Sequence, residues 1–260
     1  AMDAAALEYR KQLSPADAKQ AVASEFARWL DSGITCIGAA TTYDGMFKVA
    51  KESGLRAVVM PEIVGGTSEE SQDSFEAALA VVDENAGGER VKAGLAPATP
   101  YLLSRQMLKL VSEHARAGSY PLHIRAASSF AEMEFFFDSQ GPIADFLFPQ
   151  LGWTKLPPAH RLTPIQYLSE IGFMRAKTTI VGGLCLAGKD FSLLARNGAR
   201  VVWCRKVQMA FAGGKFPWRK LSESGIPMAF GIEDWALPEG DLWGEMRAAL
   251  NPKTVEGTPT

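Results

Sequence analysis

Histidine is scarce in this chain of 260 residues, with three in all. His114 lies in the helical stretch SEHAR and His160 in a proline-rich loop, so His123 is the one histidine on a predicted strand. A catalytic zinc ion takes three protein ligands, most often histidines, that several elements bring together. The sequence therefore predicts no metal site and no metal cofactor.

Cysteine is equally rare. Cys36, Cys185 and Cys204 lie far apart in the chain, and no C-x-x-C pair is present. This spacing excludes the dense cysteine framework of small secreted domains and the paired ligands of a zinc knuckle. We expect free, mostly buried thiols in a reducing compartment, so the sequence predicts a cytoplasmic protein.

Long runs of one kind of residue are also missing. The 27 basic and 29 acidic residues give a net charge of −2 and form no basic stripe, which argues against a nucleic-acid partner. Apolar runs are strand-sized and interrupted, which argues against a membrane partner, and the first residues lack the layout of a signal peptide. The partner that we expect is a small-molecule ligand.

Nucleotide-binding glycine motifs are absent as well. No G-x-G-x-x-G joins a strand to a helix. The segment AGGKFP (212–217) has two glycines but lacks the remaining residues of a phosphate-binding loop, and it is more typical of a turn before a helix. We therefore predict no cofactor of these classes either.

The chain does contain a repeated alternation of apolar runs and helical patterns. Nearly continuous apolar runs indicate parallel strands in a sheet that helices cover on both faces. Seven strand–helix units in series favour a TIM-type (β/α)8 barrel of the α/β class over an open doubly wound sheet. The predicted strands are 33–40, 55–63, 91–98, 120–127, 178–186, 199–206 and 226–233. The predicted helices lie near 15–31, 43–53, 68–86, 103–117, 128–138, 164–173, 188–196, 217–223 and 239–250.

The predicted barrel lacks its first strand, because the first clear element is the helix at 15–31. We assign residues 11–250 to one barrel domain and residues 251–260 to a flexible tail. A seam beside the second strand would expose backbone edges that another segment or another chain must cover. A homo-oligomer is therefore one expected arrangement. The apolar stretch 141–168 is expected to be a long loop that acts as a lid, a dimer contact or packing over the barrel end.

Several stretches, taken in order, resemble the amidohydrolase superfamily over residues 15–250. They include SGITCIG, AGLAPATPYLLS, LHIRAASSFAEMEFF, LTPIQYLSEIG and RKLSESGIPMAFGIEDWA. The branch that they resemble is that of chlorohydrolases and nucleoside deaminases, including the aminodeoxyfutalosine deaminases. The resemblance implies a barrel whose strand ends hold a zinc ion through histidines and an aspartate and activate a water for hydrolysis.

The positions that would carry this chemistry hold other residues. The histidine position of the fourth strand is Ala98, and the metal histidine and catalytic glutamate positions of the fifth strand are Arg125 and Ser128. The sixth-strand histidine position is Gly182, and the strand-eight aspartate position is Glu233. Arginine only donates hydrogen bonds, and glycine and alanine have no ligand atom, so we predict that the metal chemistry is lost. We interpret this as a pocket with a new task, in a natural paralogue or an engineered scaffold.

Charged and aromatic residues remain at the same strand ends. Side chains alternate along a strand, so His123 and Arg125 share one face. We predict two catalytic candidates, Lys206 as an amine nucleophile and Glu233 as a general base. The predicted substrate-binding residues are Arg125, His123, Trp203, Arg205, Gln208 and Asp234.

Three hypotheses for this pocket stay open. It binds a small anionic or aromatic molecule, it performs metal-independent catalysis, or it is filled by an Arg125–Glu233 ion pair in a structural or assembly protein. The family alternative is a metal-dependent deaminase or chlorohydrolase acting on an adenosine-like or aminated heterocyclic substrate. Ordinary roles compete at single positions: Lys206 as a solvated loop lysine, His123 as a hydrogen-bonded core histidine and Trp203 as a packing residue.

Overall fold

The computed structural model describes residues 14–65, 67–153, 155–175, 177–205, 215–232 and 241–250. Every predicted strand segment contains a strand, and the third segment is interrupted, so that it holds two short strands. The strands are β1 (Cys36–Thr41), β2 (Arg56–Ile63), β3 (Val91–Ala93), β4 (Ala96–Pro97), β5 (Leu122–Ala126), β6 (Thr178–Gly182), β7 (Arg200–Trp203) and β8 (Met228–Phe230).

Every predicted helix is also present. The first begins at a serine cap, where Ser14 Oγ accepts from the Asp17 amide at 3.1 Å, and the third begins at a capping box between Thr67 and Glu70. The helices are α1 (Pro15–Asp31), α2 (Met46–Ser53), α3 (Ser68–Glu84), α4 (Arg105–Ala117), α5 (Phe130–Asp138), α6 (Phe148–Gln150), α7 (Pro164–Glu170), α8 (Asp190–Arg196), α9 (Trp218–Glu223) and α10 (Leu242–Ala249).

All strand pairs are parallel, and they fall into two groups. In the first group β2 lies between β1 on one side and, on the other side, β3 followed by β4. In the second group the strands pair in the order β5, β6, β7, β8. A bridge between Leu95 and Leu122 connects the groups, and the His123 amide donates to the Leu95 carbonyl at 3.0 Å. The strands therefore follow one another in sequence order, each pair linked by a helical crossover, which confirms the TIM-type α/β fold.

The side chains of β5 alternate between the two faces of the sheet. Leu122, Ile124 and Ala126 are fully buried within the hydrophobic core that the sheet shares with the helices. His123 and Arg125, which alternate with them, are partly exposed. Because successive side chains point to opposite faces, His123 and Arg125 lie on the face that lines the barrel interior.

The two ends of the strand order are the most exposed part of the sheet. Cys36 and Gly38 of β1 are exposed, and so is Ala229 of β8. Helix α10, which follows β8, reaches the other end, where the Trp243 indole Nε1 donates to the Ser32 carbonyl oxygen at 2.8 Å. Within the described ranges, this helix contact joins the two ends of the sheet and no ladder pairs β8 with β1.

The apolar stretch 141–168 is more structured than the sequence suggests. It contains a π-helical segment, Ile143–Leu147, which continues directly into α6. Ile143 and Phe148 are buried, and the Phe148 ring lies 5.1 Å from that of Phe135 on α5. The expectation of a loop throughout is therefore wrong for residues 143–150, because their aromatic and aliphatic side chains pack on the helix layer.

Some limits of the chain stay predictions. Residues 1–13 and 251–260 lie outside the described residues, and with them the domain boundary at residue 11 and the tail. In the parts of the chain that the structure describes, no helix combines the length and the apolar character needed to cross a bilayer. The predicted homo-oligomer is likewise untested.

We expect Trp243→Phe to lower the free energy of unfolding by about 0.5–1 kcal/mol, because it removes one hydrogen bond at a half-exposed side chain. The measurement is urea unfolding followed by circular dichroism. Met246→Leu, on the same helix, is the matched control and should leave the midpoint unchanged. Equal stability of Trp243→Phe and the parent protein would show that the hydrogen bond to Ser32 does not contribute to the free energy of unfolding.

Candidate functional site

The predicted site residues fall into two sets. His123 and Arg125 lie on β5, Trp203 ends β7, and Arg205 follows it. The remaining predicted site residues lie outside the described residues: Lys206, Gln208, Glu233 and Asp234. The structure therefore brings His123 and Arg125 onto one wall, and the contribution of the other four residues stays a prediction.

The end of β5 is fixed between its two neighbouring strands. The Arg125 amide donates to the Ala98 carbonyl at 3.2 Å, which holds β5 against the segment after β4. On the other side Arg125 is opposite Val181, and Ala126 is opposite Gly182. The backbone of Arg125 is therefore fixed on both sides, by the segment after β4 and by β6. Arg125 lies near the carboxyl end of its strand, which is the end where barrel enzymes have their active sites.

His123 lies one layer deeper on the same wall. Burial, and to a smaller extent the nearby positive charge of Arg125, together lower the pKa of its imidazole to about 4. The ring is therefore neutral at pH 7. Arg125, in contrast, carries a permanent positive charge, so this wall presents a cation at its upper level and a neutral ring beneath it.

A tight turn follows β5. Ala127 has a φ of 53°, in the left-handed region that side chains other than glycine rarely adopt. The Ser128 amide donates to Glu132 Oε2 at 2.8 Å, and Ser129 Oγ accepts from the Glu132 amide at 3.2 Å to cap α5. These contacts hold the strained turn in one conformation.

Glu132, a buried carboxylate beside the turn after β5, was not among the predicted site residues. It is 2% exposed, which is rare for a carboxylate. Burial, and to a smaller extent the negative charge of Glu132, together raise the pKa of the neighbouring Cys185 thiol to about 12. Cys185 is therefore an unreactive, protonated thiol. The Ser129-x-x-Glu132 spacing was the available signal, because serine followed by glutamate at that interval marks a helix start.

Gly182 and Ser128 approach each other closely at the end of β6. A Cβ atom built on Gly182 would lie 2.2 Å from Ser128 Oγ and 2.8 Å from the Ala126 carbonyl oxygen. Gly182 also has a φ of 117°, which a side chain rarely tolerates. The position is therefore closed to any side chain while Ser128 keeps its place.

Trp203 and Arg205 differ in their surroundings. Trp203 is 2% exposed, and its ring stacks on Phe216 with centroids 4.4 Å apart and planes 5° apart. This arrangement covers the ring from solvent, as expected of a packing residue. Arg205 is partly exposed, just beyond the end of β7. Both residues stay predicted ligand contacts, and the geometry favours Arg205.

Comparison with known proteins identifies the family. A family model described as Amidohydrolase family matches residues 4–255. This match covers most of the chain, so the chain belongs to the amidohydrolase family. The resemblance found in the sequence is confirmed at that level.

The relatives include several deaminases. Over 155 residues the chain is 31% identical to aminodeoxyfutalosine deaminase of Deinococcus radiodurans, covering 57% of this chain and 37% of that protein. Over 171 residues it is 28% identical to 5-methylthioadenosine/S-adenosylhomocysteine deaminase of Pyrococcus furiosus, covering 62% of this chain and 36% of that protein. The chain therefore spans less than half the length of these relatives.

Solved structures support the same fold. An adenosine deaminase from Xanthomonas campestris with bound zinc superposes with a TM-score of 0.74 at 22% identity, covering 91% of this chain and 51% of that one. Helicobacter pylori aminofutalosine deaminase in complex with methylthio-coformycin gives a TM-score of 0.73 at 22% identity, covering 85% and 54%. At this level of identity the likeness shows the fold and nothing finer.

We call the carboxyl ends of the strands the rim. The described residues of the rim at β5 and β6 do not fit a zinc ion. Arg125 cannot ligate a cation, and Gly182 offers no side chain and no room for one. Among the residues that the structure describes, no group of three or more His, Cys, Asp and Glu side chains is placed to hold a metal. The rim instead offers a guanidinium, a serine hydroxyl and a neutral imidazole.

Gly182→Ala should lower the free energy of unfolding by about 2–4 kcal/mol, because the added methyl group meets Ser128 and a backbone carbonyl in an unfavourable conformation. Gly188→Ala is the control: it also has a positive φ, of 51°, but open space around it. Adding Ser128→Ala to Gly182→Ala should restore part of the loss. Denaturant unfolding checks all variants, and equal losses at positions 182 and 188 would contradict the steric account.

His123 should make the protein less stable in mild acid. Its folded pKa of about 4 lies below the ordinary histidine value of 6.5, so the unfolded chain binds the proton more readily. The contribution of His123 to the free energy of unfolding is fully present above pH 6.5. It is lost progressively as the pH falls from 6.5 to 4, by about 3 kcal/mol in total.

The test is the pH dependence of urea unfolding for the parent protein and for His123→Gln. The variant has no titrating ring, so its stability should fall less between pH 7 and pH 4.5. Identical slopes in the two proteins would show that folding does not lower the pKa of His123. Titration of the His123 ring by NMR gives the same pKa directly.

Proposed function

We propose that this chain is a metal-independent member of the amidohydrolase family that binds a small anionic or aromatic molecule at the carboxyl-terminal rim of its strands. One observation carries the proposal. Arg125 lies on the interior face of β5, at the position where the family resemblance expects a metal ligand. A permanent cation at that point disfavours a bound metal ion and favours an anion.

The surroundings of Arg125 support an anionic ligand group. His123 is uncharged at neutral pH, and Arg205 adds a second cation at the end of β7. A guanidinium binds a carboxylate through two parallel hydrogen bonds, which sets orientation as well as affinity. We expect the ligand's carboxylate or phosphate to contact Arg125 while its ring lies across the rim.

The comparisons suggest which ligands to try first. Relatives of this chain are named for deamination of 5-methylthioadenosine and S-adenosylhomocysteine. Of these two compounds, only S-adenosylhomocysteine carries a carboxylate. If Arg125 binds an anionic group, S-adenosylhomocysteine should bind more tightly than 5-methylthioadenosine.

Substitution of Arg125 tests the proposal. Arg125→Met should weaken S-adenosylhomocysteine binding by about tenfold or more, because a charged hydrogen bond is worth about 1.5–3 kcal/mol. Binding of 5-methylthioadenosine should change little. The measurements are isothermal titration calorimetry and the ligand-dependent shift of the melting temperature.

Arg200→Met is the matched control, since Arg200 is exposed at the start of β7, away from the rim. Arg125→Lys should show an intermediate loss, because the charge stays while the two-pronged geometry is lost. Unchanged affinity in Arg125→Met would overturn the assignment of Arg125 as the anion contact.

Metal-dependent deamination is the second candidate, and the similarity to named deaminases favours it. Zinc content measured by mass spectrometry after zinc supply and desalting separates it from the proposal. We expect only trace zinc and no ammonia release from 5-methylthioadenosine. Zinc near one equivalent with turnover would replace the proposal with this candidate.

Two hypotheses from the sequence depend on residues outside the described ranges. Lys206 as an amine nucleophile predicts a Schiff base that borohydride traps with a carbonyl compound, and Lys206→Met should abolish the trapped product. An Arg125–Glu233 pair in a structural protein predicts neither ligand binding nor trapping.

A further inference from the structure

A cavity lies at the carboxyl ends of β1 and β2, and Arg125 is not among its lining residues. Its volume is about 330 Å³, within the range of small-molecule sites. It opens between the β1–α2 turn, the end of β2 and α3. Its lining includes Tyr43, Asp44, Phe47, Ser74 and Ala77.

Local hydrogen bonds hold the walls of this cavity in place. Thr41 Oγ1 accepts from the Tyr43 amide at 3.0 Å, and the Met46 amide donates to the Tyr43 carbonyl at 3.1 Å. The Tyr43 phenol lies against Gly45, where an added Cβ would be 2.3 Å from the hydroxyl. Across the cavity, Ser74 Oγ accepts from the Val64 amide at 3.1 Å. The cavity is therefore formed before any ligand binds.

The lining combines an apolar body with negative charge. Phe47 is 4% exposed and forms part of the apolar wall, together with the methyl group of Ala77. Asp44 supplies an exposed carboxylate, whereas no lysine, arginine or histidine is among the described residues that line the cavity. The ring of Tyr43 adds an aromatic face, which attracts cations.

We propose that this cavity binds a small organic ammonium ion with a compact apolar body. The ammonium group lies near Asp44 and the Tyr43 ring, and the apolar body lies against Phe47 and Ala77. Charge and shape both select for this class, because the Asp44 carboxylate repels an anion and the apolar walls disfavour a fully hydrated inorganic cation. The site is independent of the rim around Arg125, which has the opposite charge preference.

The experiment uses phenethylammonium as the probe and records amide chemical shifts in two-dimensional NMR of the isotope-labelled chain. We expect saturable shifts at Tyr43, Asp44 and Ser74. The neutral analogue 2-phenylethanol and the anion 3-phenylpropanoate have nearly the same shape and should bind at least a few-fold more weakly.

Two variants locate the interaction. Asp44→Asn should weaken phenethylammonium binding about two- to fivefold, as expected for one partly hydrated charge. Ala77→Trp should abolish it, because the larger side chain fills the cavity from an exposed helix position. Asp73→Asn is the charge control: it removes an exposed carboxylate from the same helix at a residue outside the lining.

The outcomes separate this site from the rim. Shifts that map to the cavity, depend on Asp44 and persist in Arg125→Met support the proposal. Equal binding of 2-phenylethanol, shifts that map elsewhere, or no saturable shift would each overturn it. None of these results bears on anion binding at Arg125, so the two proposals stand or fall separately.

Discussion

The wall of the barrel interior depends on the close approach of two backbones at the ends of β5 and β6. Ala126 is opposite Gly182, the Gly183 amide donates to the Ala126 carbonyl at 3.1 Å, and the Cys185 amide donates to Ala127 at 2.9 Å. Glycine at position 182 permits this approach, and Ser128 occupies the space that a side chain there would need. The turn after β5 and the loop after β6 therefore form one packed unit.

That packing decides the electrostatics of the site wall. Burial keeps the His123 ring neutral at pH 7 and the Cys185 thiol protonated, so neither contributes charge. Arg125 keeps its charge in any setting. We therefore propose anion binding at the part of the rim around β5 and cation binding at the cavity at the ends of β1 and β2.

The regular elements followed from local patterns. Apolar runs located the strands, and the helical patterns between them located the helices. Residues 143–150 were missed, because a π-helical segment has no simple periodic signature and its burial depends on Phe135 in another helix. The predicted contacts at Lys206, Gln208, Glu233 and Asp234 lie outside the described residues and remain predictions.

The sequence by itself determined the fold, the family and the presence of Arg125, Ser128 and Gly182 at the strand ends, because periodicity and residue chemistry are properties of short segments. Only the tertiary structure decided that Ser128 closes the space beside Gly182, that Trp203 is covered by Phe216, and that Glu132 lies buried near Cys185. Contacts of this kind join residues from different elements, and their distances and burial arise when the strands pack side by side.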